Sequence, residues 1–317
     1  MRARWLFAIL AIATVVAIVL GLGDLRRFAE MLREAHPLWI LVALAFQIGT
    51  YLAVALGWRL VLRRAGSPQP LRRLMPIAFM KLFADQVLPT AGMGGNVLLV
   101  DRLTALGVSR GAAVAALLIS MVGYYAIYAV LALAMLLLLW VHDRATPLLA
   151  GLVTAFLLVA LAIPSLALWL RHRGSRPLPK RIERLKLVSD LLHVVGEAPR
   201  ELVADRPLIF RVALFNGCIF LCDAATLQFC LLSLGEHTSF ATAFISLLAA
   251  SIGTTLIPAP LGLGSFEASS TAMLGLLGVP VTVALAATFM LRGLILWLPL
   301  IPGLWLTRRS MKTLPDR

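Results

Sequence analysis

Glu267 and Arg292 have the residue types and the setting for chemistry inside an apolar environment. Arg292 falls near the middle of the last long apolar run of this 317-residue sequence, and Glu267 follows directly on a break, IPAPLGLGS, at 257–265. An ionisable side chain near the centre of a bilayer costs about 2.5–3.5 kcal/mol on insertion scales, so it needs a partner, a wet cavity or an interface. Paired near mid-membrane, the arginine would present a fork of donors to a phosphate oxygen; the plainer reading is an ion pair that fixes a turn. A matching break, LPTAGMGGN, occupies 88–96. Glycines without side chains allow close approach and exposed amides that form an anion-binding nest. Gly92, Gly94, Gly95, Gly262 and Gly264 therefore join Glu267 and Arg292 as candidates for holding a phospholipid or polyprenyl phosphate headgroup, with Asn96, Pro258 and Pro260 of the same breaks counted beside them. A tight structural turn competes at the same positions.

Other polar residues are weaker candidates. Lys81 and Asp85 are spaced i, i+4 before the first break, so on a helix they share a face and can neutralise each other. Asp101 and Arg102 follow that break, near an expected cytoplasmic interface where charge is cheap. Asp223 lies mid-segment with Asn216 and Gln228 nearby, a set expected to face the interior of the bundle, where helix–helix hydrogen bonding explains it as well as transport does. Cys218, Cys222 and Cys230 fall in one apolar segment without the flanking ligands of a zinc site, and the five histidines lie in expected connections. No metal site, Ser/His/Asp grouping or P-loop is found, and no cofactor is expected.

The elements that must position these residues are membrane helices. Hydrophobic residues make up 61% of the chain, charged residues only 14%, and the mean hydropathy is +0.93, far from the roughly 25% charge of a soluble domain. Apolar runs at 5–22, 38–56, 112–140, 147–170, 208–234 and 279–306 are expected to cross the bilayer. The first resembles a signal peptide at its charged start but is long and lacks a convincing cleavage site, so an uncleaved helix is expected. The net charge of +14 is read as a topology signal rather than a sign of nucleic-acid binding. Basic residues collect at the N-terminus, at 59–73, at 171–206 and at the tail, which places all four in the cytoplasm.

Six crossings satisfy those assignments only if 74–110 and 240–278 are re-entrant hairpins, the first opening from inside and the second from outside. Eight full crossings would put the 171–206 loop outside, although it carries nine Lys/Arg against five Asp/Glu. The fold class is therefore an all-α polytopic membrane protein with eight hydrophobic segments, six of them full spans, in a single transmembrane domain over 1–317. The two broken units match at Pro89 and Pro258, Gly95 and Gly264, and Gly107-Val108 and Gly278-Val279, in the manner of an inverted repeat, although so much Leu, Ala, Gly and Pro leaves chance as a rival. Amphipathic stretches at 24–36 and 180–195 lie between spans, the second basic enough to rest on an anionic leaflet or to pack as a solvated helix.

The segment from Pro258 through Pro260, Gly262 and Gly264 to Glu267, followed by Gly278, Arg292, Trp297, Pro299 and Gly303, resembles the lysylphosphatidylglycerol synthase transmembrane-region, or flippase-like, family. Gly57-Trp58-Arg59, Leu88-Pro89, Gly94-Gly95 and Gly107 agree in layout, so the resemblance covers nearly the whole chain. It implies a bacterial-type inner-membrane protein that moves or presents an anionic, amino-acylated or polyprenyl- or hopanoid-linked lipid, with membrane lipids and an envelope-lipid enzyme as partners. The alternatives are a membrane-bound lipid or glycosyl transferase and an accessory subunit of such an enzyme. In this family an acidic residue commonly follows the Gly-Gly pair, where this chain has Asn96 and then Val97, Leu98 and Leu99; Ser120 and Met121 stand where an arginine is often found. The soluble domain that joins this region in better-known members is not expected here, since the sequence ends at Arg317.

Overall fold

The computed structural model describes residues 33–87, 93–142, 144, 146–173, 198–257 and 264–298. Every regular element among them is helical: α1 (Pro37–Arg64), α2 (Leu71–Val87), α3 (Met93–Ala105), α4 (Arg110–Val141), α5 (Pro147–Arg173), α6 (Arg200–Val203), α7 (Arg206–Ser233), α8 (Phe240–Leu256), α9 (Ser265–Leu276) and α10 (Val281–Arg292). A π-helical turn, Gly293–Trp297, continues α10. The expected span at 279–306 is thus not one regular α-helix as far as 298, and its remainder lies outside the described residues. So do the expected span at 5–22, the amphipathic stretch at 180–195 and all but the last four residues of that at 24–36.

Helices α1, α4 and α7, with 28, 32 and 28 residues, run about 42, 48 and 42 Å at 1.5 Å per residue. Each is long and apolar enough to cross a hydrocarbon core of about 30 Å. Leu41, Ile48, Leu133, Leu137, Phe210 and Leu214 remain exposed on them, as lipid-facing side chains do. With no hydrophobic force between helices in lipid, close approach at small residues does the packing. A Cβ on Gly123 of α4 would come 3.1 Å from the Ala213 backbone nitrogen of α7, and one on Gly217 of α7 would come 3.2 Å from Ile127 of α4.

The antiparallel pair α1 and α7 forms the centre of the bundle, packed along its length and tied at both ends. The His36 N–H before α1 donates to the carbonyl of Ser233, the last residue of α7, at 2.8 Å. At the other end Asp205, which caps α7 by accepting from Leu208 N–H, also accepts from Arg64, the last residue of α1, at 2.9 Å. The two ties join equivalent positions, the residue before one helix to the last residue of the other. The Arg64 hydrogen bond and then the Leu208 N–H hold the Asp205 carboxyl below the usual aspartate range. A carboxyl held down in the folded state contributes its stability above the ordinary carboxylate pKa, about 4, and loses it as pH falls through the lower folded value. Arg64→Ala is therefore expected to lower stability slightly at neutral pH and to flatten the acid limb of an unfolding-against-pH curve, with the two proteins converging in strong acid.

After each of these long helices comes a pair of short ones. Helices α2 and α3, of 17 and 13 residues, pack on each other, as do α8 and α9, of 17 and 12. The outer ends of the first pair meet. Gln69, just before α2, donates to the carbonyl of Leu106, just after α3, at 3.4 Å. Helix α8 begins at the end of the bundle where α7 finishes, and Arg144, beyond the far end of α4, donates to the carbonyl of Leu276, the last residue of α9, at 3.1 Å. Each pair exits through the same turn. The Gly107 N–H donates to Thr104 O and that of Val108 to Leu103 O; the Gly278 N–H donates to Gly275 O and that of Val279 to Leu274 O. Both glycines are left-handed, at φ 82° and 95°, a conformation that closes a helix C-terminus and favours glycine.

Two apolar cores result. One gathers α2, α3 and the neighbouring ends of α1, α4 and α7 around Trp58, Leu74, Leu99 and Ile119. The other gathers α5, α8, α9 and α10 against the remaining halves of α4 and α7 around Tyr128, Phe156, Leu248 and Leu274.

Candidate functional site

The second core holds the charged pair. Gly264, at φ 84°, is the N-cap of α9. Glu267, in the first turn, turns back so that its Oε2 accepts the Gly264 N–H at 2.7 Å, the carboxylate half of a capping box. Its other oxygen, Oε1, accepts from Nε of Arg292 at 2.8 Å. The two side chains are only 10% and 9% exposed. The Arg292 guanidinium carbon lies 4.9 Å from the ring centroid of Phe266, a cation–π contact. About one turn further along α9, Ser270 and Thr288 share a buried hydroxyl–hydroxyl bond of 2.9 Å. One carboxylate thus joins the start of α9 to the end of α10, directly beside the break at 258–263.

Local sequence explains this geometry. Glycine at 264 accepts the positive φ that a side chain would strain, and the acidic residue sits in the first turn of α9, where the helix dipole favours negative charge. Arg292 is the last residue of α10, and the π-helical turn starts at the next residue, Gly293. Single π-turns within α-helices are frequent at functional sites.

Gly94, Gly95 and Asn96 lie in the first turn of α3, so their amides belong to a helix N-terminus rather than to a free loop. Gly92, Pro258, Pro260 and Gly262 lie outside the described residues. Lys81 and Asp85 are both on α2, which makes the i, i+4 relation real, while on α3 Asp101 is exposed and Arg102 half-buried. Helices α3 and α9 are not principal packing partners among the described residues. Asp223 is held elsewhere, by Thr50 at 2.9 Å across the α1–α7 interface. Asn216 donates to the Ser120 carbonyl of α4 at 3.0 Å, and Gln228 to that of Thr238 at 2.6 Å.

Sequence reading missed the hydroxyl-rich contact between α8 and α9. A Cβ on Gly253 would collide with Ser269, and Ser251, Thr254 and Thr255 surround that glycine on α8. The buried Tyr128 hydroxyl of α4, which makes no well-aligned hydrogen bond but has the Ser251 and Thr255 hydroxyls within reach, was missed too. The run of Ser, Gly and Thr at 251–255 ahead of a Pro/Gly break was the available signal.

Compared with known families, residues 5–303 match the family model described as lysylphosphatidylglycerol synthase TM region. A search of curated proteins found no significant match.

Proposed function

The chain belongs to the lysylphosphatidylglycerol synthase TM region family, and on that premise we propose that it moves or presents an anionic or amino-acylated lipid between the leaflets of a bacterial-type inner membrane. The observation that carries this reading is the buried Glu267–Arg292 pair beside the second helix break. A buried ion pair is weak evidence for stability, because desolvation offsets most of the Coulomb gain. Its chemistry matches a lipid headgroup instead. The guanidinium suits a phosphate oxygen, and the carboxylate suits the ammonium of an aminoacyl group. With the Gly278 turn at a membrane surface, Glu267 would lie about 17 Å in at 1.5 Å per residue, near the middle of a core about 30 Å thick.

The topology is part of the proposal. The Gln69–Leu106 bond supports a first hairpin that returns to its own side, and the Arg144–Leu276 bond supports the same for the second from the opposite side. The Arg64–Asp205 tie favours one side for the basic segments at 59–73 and 171–206, as the six-span arrangement with cytoplasmic termini requires. Equal long helices, equivalent end ties and matching exit turns support an inverted repeat, whose two hairpins would carry the lipid site. Acyl chains would stay in the bilayer.

The test is leaflet exposure of labelled anionic, amino-acylated and polyprenyl-phosphate lipids in proteoliposomes. Movement of one class is expected, slowed about 10- to 100-fold by Glu267→Gln, as loss of a charge-assisted hydrogen bond of about 1.5–3 kcal/mol implies. Folded wild-type protein that moves none of the three would overturn the reading and turn attention to transferase activity.

A further inference from the structure

We propose that Asp223 is a proton-binding site at the centre of the bundle, separate from the Glu267–Arg292 pair. Thr50, midway along α1, donates its hydroxyl to Asp223 Oδ1 at 2.9 Å, and the Gln47 side chain lies within hydrogen-bonding reach of the same carboxyl. Thr50 and Gln47 are 5% and 2% exposed, whereas Asp223 retains partial exposure. The helices are close here, since a Cβ on Gly49 would come 3.3 Å from Cys222 Sγ.

The partners of Asp223 among the described residues are neutral. Two titratable groups face it, Tyr51 from α1 and Cys222 from α7 itself. Among the described residues, no charged side chain acts on it from α2 or α4, which pack on α1, or from α8 or α10, which pack on α7. A carboxylate at this depth without a cationic partner is costly, and neutralisation removes that cost.

A second observation fits a proton. Gln47 Oε1 is buried and accepts no hydrogen bond. A carboxylate only accepts, but a protonated carboxyl has one O–H to donate. One proton bound at Asp223 therefore removes the charge and adds an O–H donor beside the Gln47 side chain, which the Tyr51 hydroxyl also reaches, while Thr50 continues to donate to Oδ1. Three oxygen-bearing side chains are few for a metal cation, which takes six or more ligands when hard. Tyr51, next to Thr50, packs on Phe79 of α2 with ring centroids 4.5 Å apart. Proton binding would thus bear on the entering limb of the first hairpin.

The site stands on its own geometry; its use as a coupling site rests on the lipid-movement reading. The first measurement is the pH-induced infrared difference spectrum of the full-length protein in lipid. Beside the signal of the chain's other Asp and Glu, a distinct titrating carboxyl C=O band is expected in wild type and in Glu267→Gln, and the loss of that band alone in Asp223→Asn, which keeps both an acceptor for Thr50 and a donor for Gln47. An unchanged band in Asp223→Asn, or none in wild type, would overturn the proposal. The second measurement imposes a pH gradient on proteoliposomes. One proton per lipid supports accumulation up to about tenfold per pH unit, and Asp223→Asn is expected to abolish accumulation while keeping gradient-free exchange. A band with no lipid movement in wild type would uphold the proton site and sink the transport reading. Lipid movement without the band would do the reverse.

Discussion

Replacing Arg292 or Glu267 singly by alanine is expected to cost about 3–5 kcal/mol of stability, because either change breaks a buried ion pair and leaves one of its charges behind. Each side chain is about nine-tenths buried, and one 2.8 Å bond joins them. Glu267→Ala should be the more damaging, since it also removes the acceptor for the Gly264 N–H at the start of α9. The double variant Glu267→Gln/Arg292→Met should recover most of that stability, as neutral side chains of similar volume usually do in place of a buried pair. Lipid movement should stay lost in all three. Thermal unfolding in detergent beside leaflet exposure in vesicles reads both quantities. A double variant that regained stability and movement together would reduce the pair to a structural brace.

Gly253→Val is expected to pry apart the second hairpin. Even the first carbon of a side chain at 253 would collide with Ser269 and would lie 3.6 Å from the Ser265 carbonyl. Overpacking of this kind costs about 1–3 kcal/mol, and here the strain falls between α8 and α9, beside the turn that positions Glu267. Lipid movement should fall along with stability. Ser269→Gly in the same chain should restore part of both, because it removes the atoms that collide. Equal stability of Gly253→Val and wild type would mean that α8 and α9 do not pack as described.

While 88–92 and 258–263 of the two Pro/Gly breaks lie outside the described residues, the long helices were legible in the sequence because apolar runs are local signals. Gly107 and Gly278 were found for the same reason, and their left-handed conformations explain why glycine stands there. Glu267 and Arg292 were legible as rare charges in apolar surroundings, although nothing local said that one carboxylate would both cap α9 and bind α10. What the sequence hid was long-range. The ties His36–Ser233 and Arg64–Asp205 depend on which helices become neighbours, as does the meeting of Thr50 and Gln47 with Asp223. The π-helical turn after Arg292 was also hidden, because an apolar run such as GLILW reads as ordinary helix. Gly94 and Gly95 read as loop glycines, yet they open α3, where a helix N-terminus accommodates them.

The most direct test of the central claim is the initial rate of leaflet exchange in Glu267→Gln protein whose thermal unfolding matches wild type. It would be measured on whichever lipid class the wild type moves. The account predicts a rate lower by about 10- to 100-fold, the cost of one charge-assisted hydrogen bond at the site. A wild-type rate in that folded variant would contradict it, and would place the lipid path away from the second hairpin.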